Sequence, residues 1–302
     1  MQLPYTINKL NNDCAVLGEA PTWCEYYQCL WYLDILTQRL IAYTPLTKSS
    51  SFKQLPFLTS AILLTKIPNE AILVTDQGIY LYDLEKNQVL KNIGTTHCKH
   101  GLTRTNEAQI GADGALYFGT MALNPSNDDD DAQGAWYRFD GKQTILLADK
   151  VSIPNTLCWY KDHIYYADSR LKQMYYAPQD NFIQNKILFS IDPYSDTSLG
   201  TPDGSCVDSQ GILINAQWGS GTLARYDLNQ TAPLITLDKI DLPVLQPTSC
   251  CFGGDDLRTL FVTSANIDLD GDNDDYPLQY QGCLYAISGL GRGLTARRYE
   301  TK

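Results

Sequence analysis

Apolar residues along this chain gather in short runs bounded by Gly, Asp, Asn and Pro, and no stretch repeats them at the 3.6-residue spacing of a long helix. One pattern recurs six times, a turn followed by an apolar and aromatic strand. The copies are Leu30-Trp-Tyr-Leu-Asp34, Ile72-Leu-Val-Thr-Asp76, Leu116-Tyr-Phe-Gly-Thr120, Ile164-Tyr-Tyr-Ala-Asp168, Ile212-Leu-Ile-Asn-Ala216 and Leu260-Phe-Val-Thr-Ser264, starting 42, 44, 48, 48 and 48 residues apart. Turn residues precede most copies, as in Gly111-Ala-Asp-Gly114 and Asp208-Ser-Gln-Gly211, and a second strand follows, as in Gly134-Ala-Trp-Tyr-Arg-Phe-Asp140. Each repeat therefore reads as a small antiparallel meander. A single four-stranded sheet cannot bury both faces until neighbours stack on it, and repeats of about 40 to 50 residues are how propellers solve this. A sandwich or a solenoid does not call for so long and regular a period. The pattern predicts an all-β, six-bladed β-propeller with four-stranded antiparallel blades, one domain spanning residues 1–302.

Residues at one phase of such a repeat are expected to converge, because the innermost strand of each blade runs along the channel. Nine to twelve residues before each repeated strand stand Glu19, Ser60, Arg104 with Asn106, Asn155, Asp203, and Thr248 with Ser249. Carboxylates, amides and a guanidinium drawn together are costly unless a cation and a ligand neutralise them. Glu19, Asn155 and Asp203 offer only oxygen ligands, which suits a divalent ion such as Ca2+, Mg2+ or Mn2+, with Zn2+ and Fe(II) also admissible. Arg104 and Asn106 would face a substrate.

Composition narrows the partners. The chain has 302 residues, 20 of them Tyr, which favours strands. Its 23 basic against 34 acidic residues give a net charge of -11, and no basic stripe could follow a phosphate backbone, so nucleic acid is not expected. Met1 to Leu10 lacks a positive-then-apolar run, and no window approaches the ~20 apolar residues that span a bilayer. A soluble cytoplasmic protein without a membrane partner, monomeric or weakly homo-oligomeric, is the expectation. The nine Cys form no C-x-x-C pair and read as reduced, packed thiols. His97, His100 and His163 all lie off the site phase and no Gly-x-Ser-x-Gly elbow occurs, which argues against a hydroxyl nucleophile. The acidic stretches Asp128 to Asp131 and Asp268 to Asp275 read as solvated loops; the loop opening Asp268-Leu-Asp-Gly-Asp lacks the Gly at its sixth position and the Glu at its twelfth that an EF-hand needs.

Several motifs in order carry a further signal: Leu17-Gly-Glu-Ala-Pro-Thr-Trp23, Arg104-Thr-Asn-Glu107 running into Gly119-Thr-Met121, Pro154-Asn155 before Tyr165-Tyr-Ala-Asp-Ser169, Pro202-Asp-Gly204, and Gln246-Pro-Thr-Ser-Cys-Cys-Phe-Gly-Gly254. Over nearly its whole length the sequence resembles the senescence-marker protein, gluconolactonase and luciferin-regenerating enzyme family, which includes regucalcin and bacterial sugar lactonases. The resemblance implies a six-bladed propeller with metal at Glu19, Asn155 and Asp203, and sugar held by Arg104 and Asn106. It departs from the family at Glu107-Ala108, at Thr156 where Gly is usual, and after Met121, where Ala122, Leu123 and Asn124 replace a segment that in some relatives carries a sugar-touching Glu. The expected reaction is metal-dependent hydrolysis of a sugar lactone, with Asp203 accepting the proton from water. The alternatives are a non-catalytic Ca2+-binding propeller of the regucalcin kind and a metal-dependent organophosphate hydrolase on the same scaffold.

Overall fold

The structure is a computed structural model describing residues 5–11, 13–125, 133–179, 181–182, 186–190, 199–269 and 275–301. Its strands run in chain order β1 (Thr6–Lys9), β2 (Gly18–Cys24), β3 (Cys29–Asp34), β4 (Arg39–Thr44), β5 (Ser49–Gln54), β6 (Thr59–Leu64), β7 (Glu70–Thr75), β8 (Gly78–Asp83) and β9 (Gln88–Gly94). They continue with β10 (Thr103–Ile110), β11 (Leu116–Ala122), β12 (Gly134–Phe139), β13 (Thr144–Val151), β14 (Pro154–Tyr160), β15 (His163–Asp168), β16 (Gln173–Pro178) and β17 (Lys186–Ser190). The last are β18 (Thr201–Val207), β19 (Ile212–Trp218), β20 (Thr222–Asp227), β21 (Asp238–Asp241), β22 (Pro247–Gly253), β23 (Thr259–Ser264) and β24 (Tyr285–Ser288). They form six four-stranded antiparallel sheets, the blades of a six-bladed β-propeller. Five blades are consecutive meanders. The sixth is ordered β1-β24-β23-β22, so the N-terminal strand supplies its outer edge, with Ile7 opposite Ile287.

The six repeated segments are the second strands of the blades, β3, β7, β11, β15, β19 and β23. They are apolar on both faces because neighbours cover both, and every residue of β3 and β11 is buried. The fourth strands are polar edges: Ser49-Ser-Ser-Phe-Lys-Gln54 in β5 exposes four of its six residues, which discourages pairing with another chain. Among the described residues no helix is long and apolar enough to cross a membrane.

Two compact units divide the chain. One, residues 1–54 and 189–296, holds the blades β2–β5, β18–β21 and β22–β24 with β1. Trp23, Leu30 and Tyr32 pack there against Phe261, whose ring stacks on Trp23 at 5.8 Å. Gly253 has no room for a side chain, since a Cβ would lie 2.8 Å from both aromatic rings. The other unit, residues 55–188 and 297–302, holds β6–β9, β10–β13 and β14–β16, with β17 at its boundary. Trp136, Tyr166 and Phe182 form its largest aromatic cluster.

Candidate active site

In every blade the pairing of first and second strands slips by one residue. The slips fall between Glu19 and Thr22, Thr59 and Ala61, Thr105 and Ala108, Asn155 and Cys158, Pro202 and Ser205, and Pro247 and Ser249. Such a bulge bends its strand and re-aims the side chain at its start. Glu19, Ser60, Asn106, Asn155, Asp203 and Thr248 all stand at the start of, or just inside, one of these bulges. The residue after Glu19 and the residue after Asn155 are left-handed, with φ of 50° at both Ala20 and Thr156. Gly takes that conformation freely, which accounts for the Gly usual among relatives after Asn155. Thr156 is β-branched and fully buried, so the backbone beside Asn155 is held in a strained state by its surroundings.

Within the second unit, Arg104, Asn106 and Asn155 form one relay. Arg104 Nη1 donates to Asn106 Oδ1 at 2.7 Å and to the Thr105 carbonyl at 2.9 Å. Asn106 Nδ2 donates to the Pro154 carbonyl and to Asn155 Oδ1, both at 2.9 Å, and Asn155 Nδ2 donates to Ser169 Oγ at 2.8 Å. The polarity of the relay is set at its ends. A guanidinium only donates and a backbone carbonyl only accepts, so together they fix which way the Asn106 amide points. Asn106 in turn fixes Asn155, because the Ser169 hydroxyl could serve either amide atom. The outcome is an Asn155 oxygen of defined orientation on a residue only 6% exposed.

Within the first unit, Glu19 Oε2 accepts from the Ala20 amide at 2.9 Å. Asp203 is 7% exposed, and a buried amide pair on β19 underlies it. Asn215 Nδ2 donates to the Asp203 carbonyl and to Ser205 Oγ, both at 2.8 Å, and Gln217 Nε2 donates to Asn215 Oδ1. Asn215 and Gln217 are polar interruptions in an otherwise apolar strand, a signal the sequence carried and the repeat search passed over. The Thr248 hydroxyl donates to the Gly18 carbonyl at 2.5 Å, beside Glu19, and a Cβ on Gly204 would lie 2.9 Å from Ser249 Cα.

The remaining candidates separate clearly. His163 pairs with Tyr160 at the end of its blade opposite Asn155, and His97 stacks on Tyr137 at 5.3 Å. Burial pushes the Cys98 thiol up to about 11, so it is no thiolate nucleophile at neutral pH. Burial also raises the carboxyl of Asp76, which neither repeat phase nor motif singled out as a site residue. Asp128 to Asp131 lie outside the described residues, as does the centre of the stretch from Asp268 to Asp275. Among the described residues no three His, Cys, Asp or Glu side chains gather. One expectation is corrected. Cys14 and Cys283 form a disulfide where reduced thiols were expected, because the pairing of β1 with β24 brings these distant positions together. The other seven Cys form no disulfide.

Residues 17–266 match the family described as the SMP-30/Gluconolactonase/LRE-like region. A 6-deoxy-6-sulfogluconolactonase from Pseudomonas putida is 30% identical over 90% of this chain and 91% of its own length. Regucalcin from Danio rerio is 29% identical over 94% of this chain and 96% of its own. Among solved structures, a regucalcin from Agrobacterium tumefaciens, described as a calcium-binding protein, superposes with a TM-score of 0.84 at 24% identity, covering 98% and 97% of the two chains.

Proposed function

The chain belongs to the SMP-30/gluconolactonase/LRE-like family, and from that premise we propose that it hydrolyses a sugar (aldono-) lactone to the corresponding sugar acid with the help of one divalent cation. Glu19, Asn155 and Asp203 are the ligands in this reading, and Arg104 and Asn106 hold the sugar. The observation that carries it is the recurrence of a carboxylate or amide at the bulge of four blades, a position where only one in each pair of strands has a side chain re-aimed. The donor chemistry fits a hard cation: all three groups offer oxygen, and the relay presents the Asn155 oxygen rather than its NH2. Bound there, a divalent ion supplies positive charge for a carbonyl oxygen and acidity for water.

The chain's own residues do the rest. Asp203, whose backbone carbonyl is held by the Asn215 amide, accepts the proton as water adds to the lactone carbonyl, and returns it to the ring oxygen as the C–O bond breaks. Arg104 donates to substrate oxygens with the guanidinium hydrogens not used on Asn106 and Thr105. It therefore orients the sugar while keeping the relay in place.

Acid release from a panel of aldonolactones tests the reading, using metal-stripped protein, each of Ca2+, Zn2+, Mg2+, Mn2+ and Fe2+ added back, and Asp203→Asn as control. Metal-dependent turnover that the variant loses is expected. A second reading, a Ca2+-binding protein without turnover, is favoured by the likeness to regucalcins and predicts metal binding with lactones opening at the spontaneous rate. Faster turnover of a phosphotriester than of any lactone would instead favour the organophosphate hydrolase.

A further inference from the structure

The second blade, β6–β9, contributes only Ser60 at the bulge, and its hydroxyl is engaged with Thr105 Oγ1 at 2.7 Å. The residue of interest in this blade is Asp76. Hydrogen-bond register identifies its counterparts. The Asp76 amide donates to the Leu58 carbonyl just ahead of β6, as the Ser169 amide donates to the Ile153 carbonyl just ahead of β14. Asp76 therefore occupies in the second blade the place that Ser169 occupies in the fourth, where the side chain reaches the bulge residue Asn155.

The two positions differ in how they are satisfied. Ser169 Oγ has its partner, whereas Asp76 Oδ1 is enclosed with no hydrogen-bond donor among the described residues. Carboxylates of other blades show that the fold can satisfy such groups: Asp168 accepts from the Ser152, Ile153 and Arg170 amides, and Asp34 from the Val16 and Leu17 amides. Blade two instead places Thr75 opposite Thr59 at the strand end, and the Thr75 hydroxyl closes the tight turn to Gly78. His100 influences the Asp76 carboxyl electrostatically, and Cys98 is influenced by both Asp76 and Arg104. An enclosed carboxylate oxygen without a donor is costly, and a ligand hydroxyl is the donor chemistry that would satisfy it without adding charge.

We propose that Asp76 is a specificity-determining substrate contact, accepting a hydrogen bond from a hydroxyl of the sugar held by Arg104. This rests on the lactonase reading above. It gives the chain an acidic sugar contact from the residue that follows β7, in place of one from the segment after Met121, where Ala122, Leu123 and Asn124 offer no carboxylate.

The test compares wild type with Asp76→Asn and Asp76→Ala on hydroxylated aldonolactones and on δ-valerolactone, which has no hydroxyl, at saturating metal. Binding of a five- or six-carbon alditol is followed by calorimetry. The variants are expected to lose about tenfold to a hundredfold in kcat/KM on the hydroxylated lactones and to bind the alditol correspondingly more weakly, with δ-valerolactone changed less than about twofold. Equal losses on both lactone classes, or unchanged alditol binding, would overturn the proposal while leaving the lactonase reading intact. Absence of wild-type turnover on every lactone would overturn the lactonase reading, and this proposal with it.

Discussion

Asn106→Leu removes a donor pair and an acceptor while keeping a side chain branched at Cγ and adding no charge. In the structure it deletes the bond from Asn106 Nδ2 to Asn155 Oδ1, the bond to the Pro154 carbonyl, and the acceptor for Arg104 Nη1. Among the described residues the first of these is the contact that tells the Asn155 oxygen from its nitrogen, since Ser169 can adapt to either. One neutral hydrogen bond contributes about 1 kcal/mol, and the Pro154 carbonyl left without a donor adds about 1–3 kcal/mol of penalty. Loss of an outer partner to a metal ligand typically lowers affinity by about 10–100-fold. The expected result is a metal dissociation constant weakened by that factor, read by calorimetric titration of stripped protein with Ca2+ or Mn2+, with kcat partly recovered at saturating metal. Unchanged metal affinity, with the whole effect in KM for the lactone, would refute the reasoning. Asn106 would then touch sugar alone, and the relay would not position Asn155.

Asp34→Ala removes two bonds from backbone amides to a buried carboxylate, each contributing about 1.5–3 kcal/mol, so a loss of roughly 3 kcal/mol is expected by urea denaturation. Asp76→Ala, whose Oδ1 has no donor to lose among the described residues, should cost less, and equal losses would contradict the difference drawn between the two positions. Burial, opposed by the Leu58 amide and His100, raises the Asp76 carboxyl above the usual 3.8, so the folded chain binds its proton more tightly than the unfolded chain. Wild type then loses stability as pH rises from the unfolded value through the folded one, and Asp76→Asn escapes that loss. The melting temperature of the variant should match wild type near pH 4 or below and exceed it at pH 7, a gap that thermal scans across that range would reveal. Cys283→Ser opens a link between residues 269 apart in sequence and should lower stability by about 2–5 kcal/mol, with reductant doing the same to wild type but nothing further to the variant.

Much of this protein is written in its local pattern. Six apolar strands at a near-constant period fix the number of blades, because an apolar run buried on both faces needs a neighbour on each side. Glu19, Asn106, Asn155 and Asp203 were legible from phase because the period that makes the blades also places their bulges. What only the tertiary structure decided is which groups satisfy one another. Phase put Ser249 and Thr248 among the candidates, and only the structure shows the Thr248 hydroxyl bonded to the Gly18 carbonyl and Ser249 close against Gly204. Nothing in the local sequence of Cys14 or Cys283 shows that β1 joins β24, since that pairing spans the whole chain. Nor does Asp76 differ, as a sequence, from the Asp that closes the repeated strand in Asp34 and Asp168. Register alone moves it one position past the strand end, away from the backbone amides that hold the other two, and leaves its oxygen without a donor. Hydrogen-bond satisfaction is a property of the surroundings, and the surroundings of each bulge are supplied by residues far away in sequence.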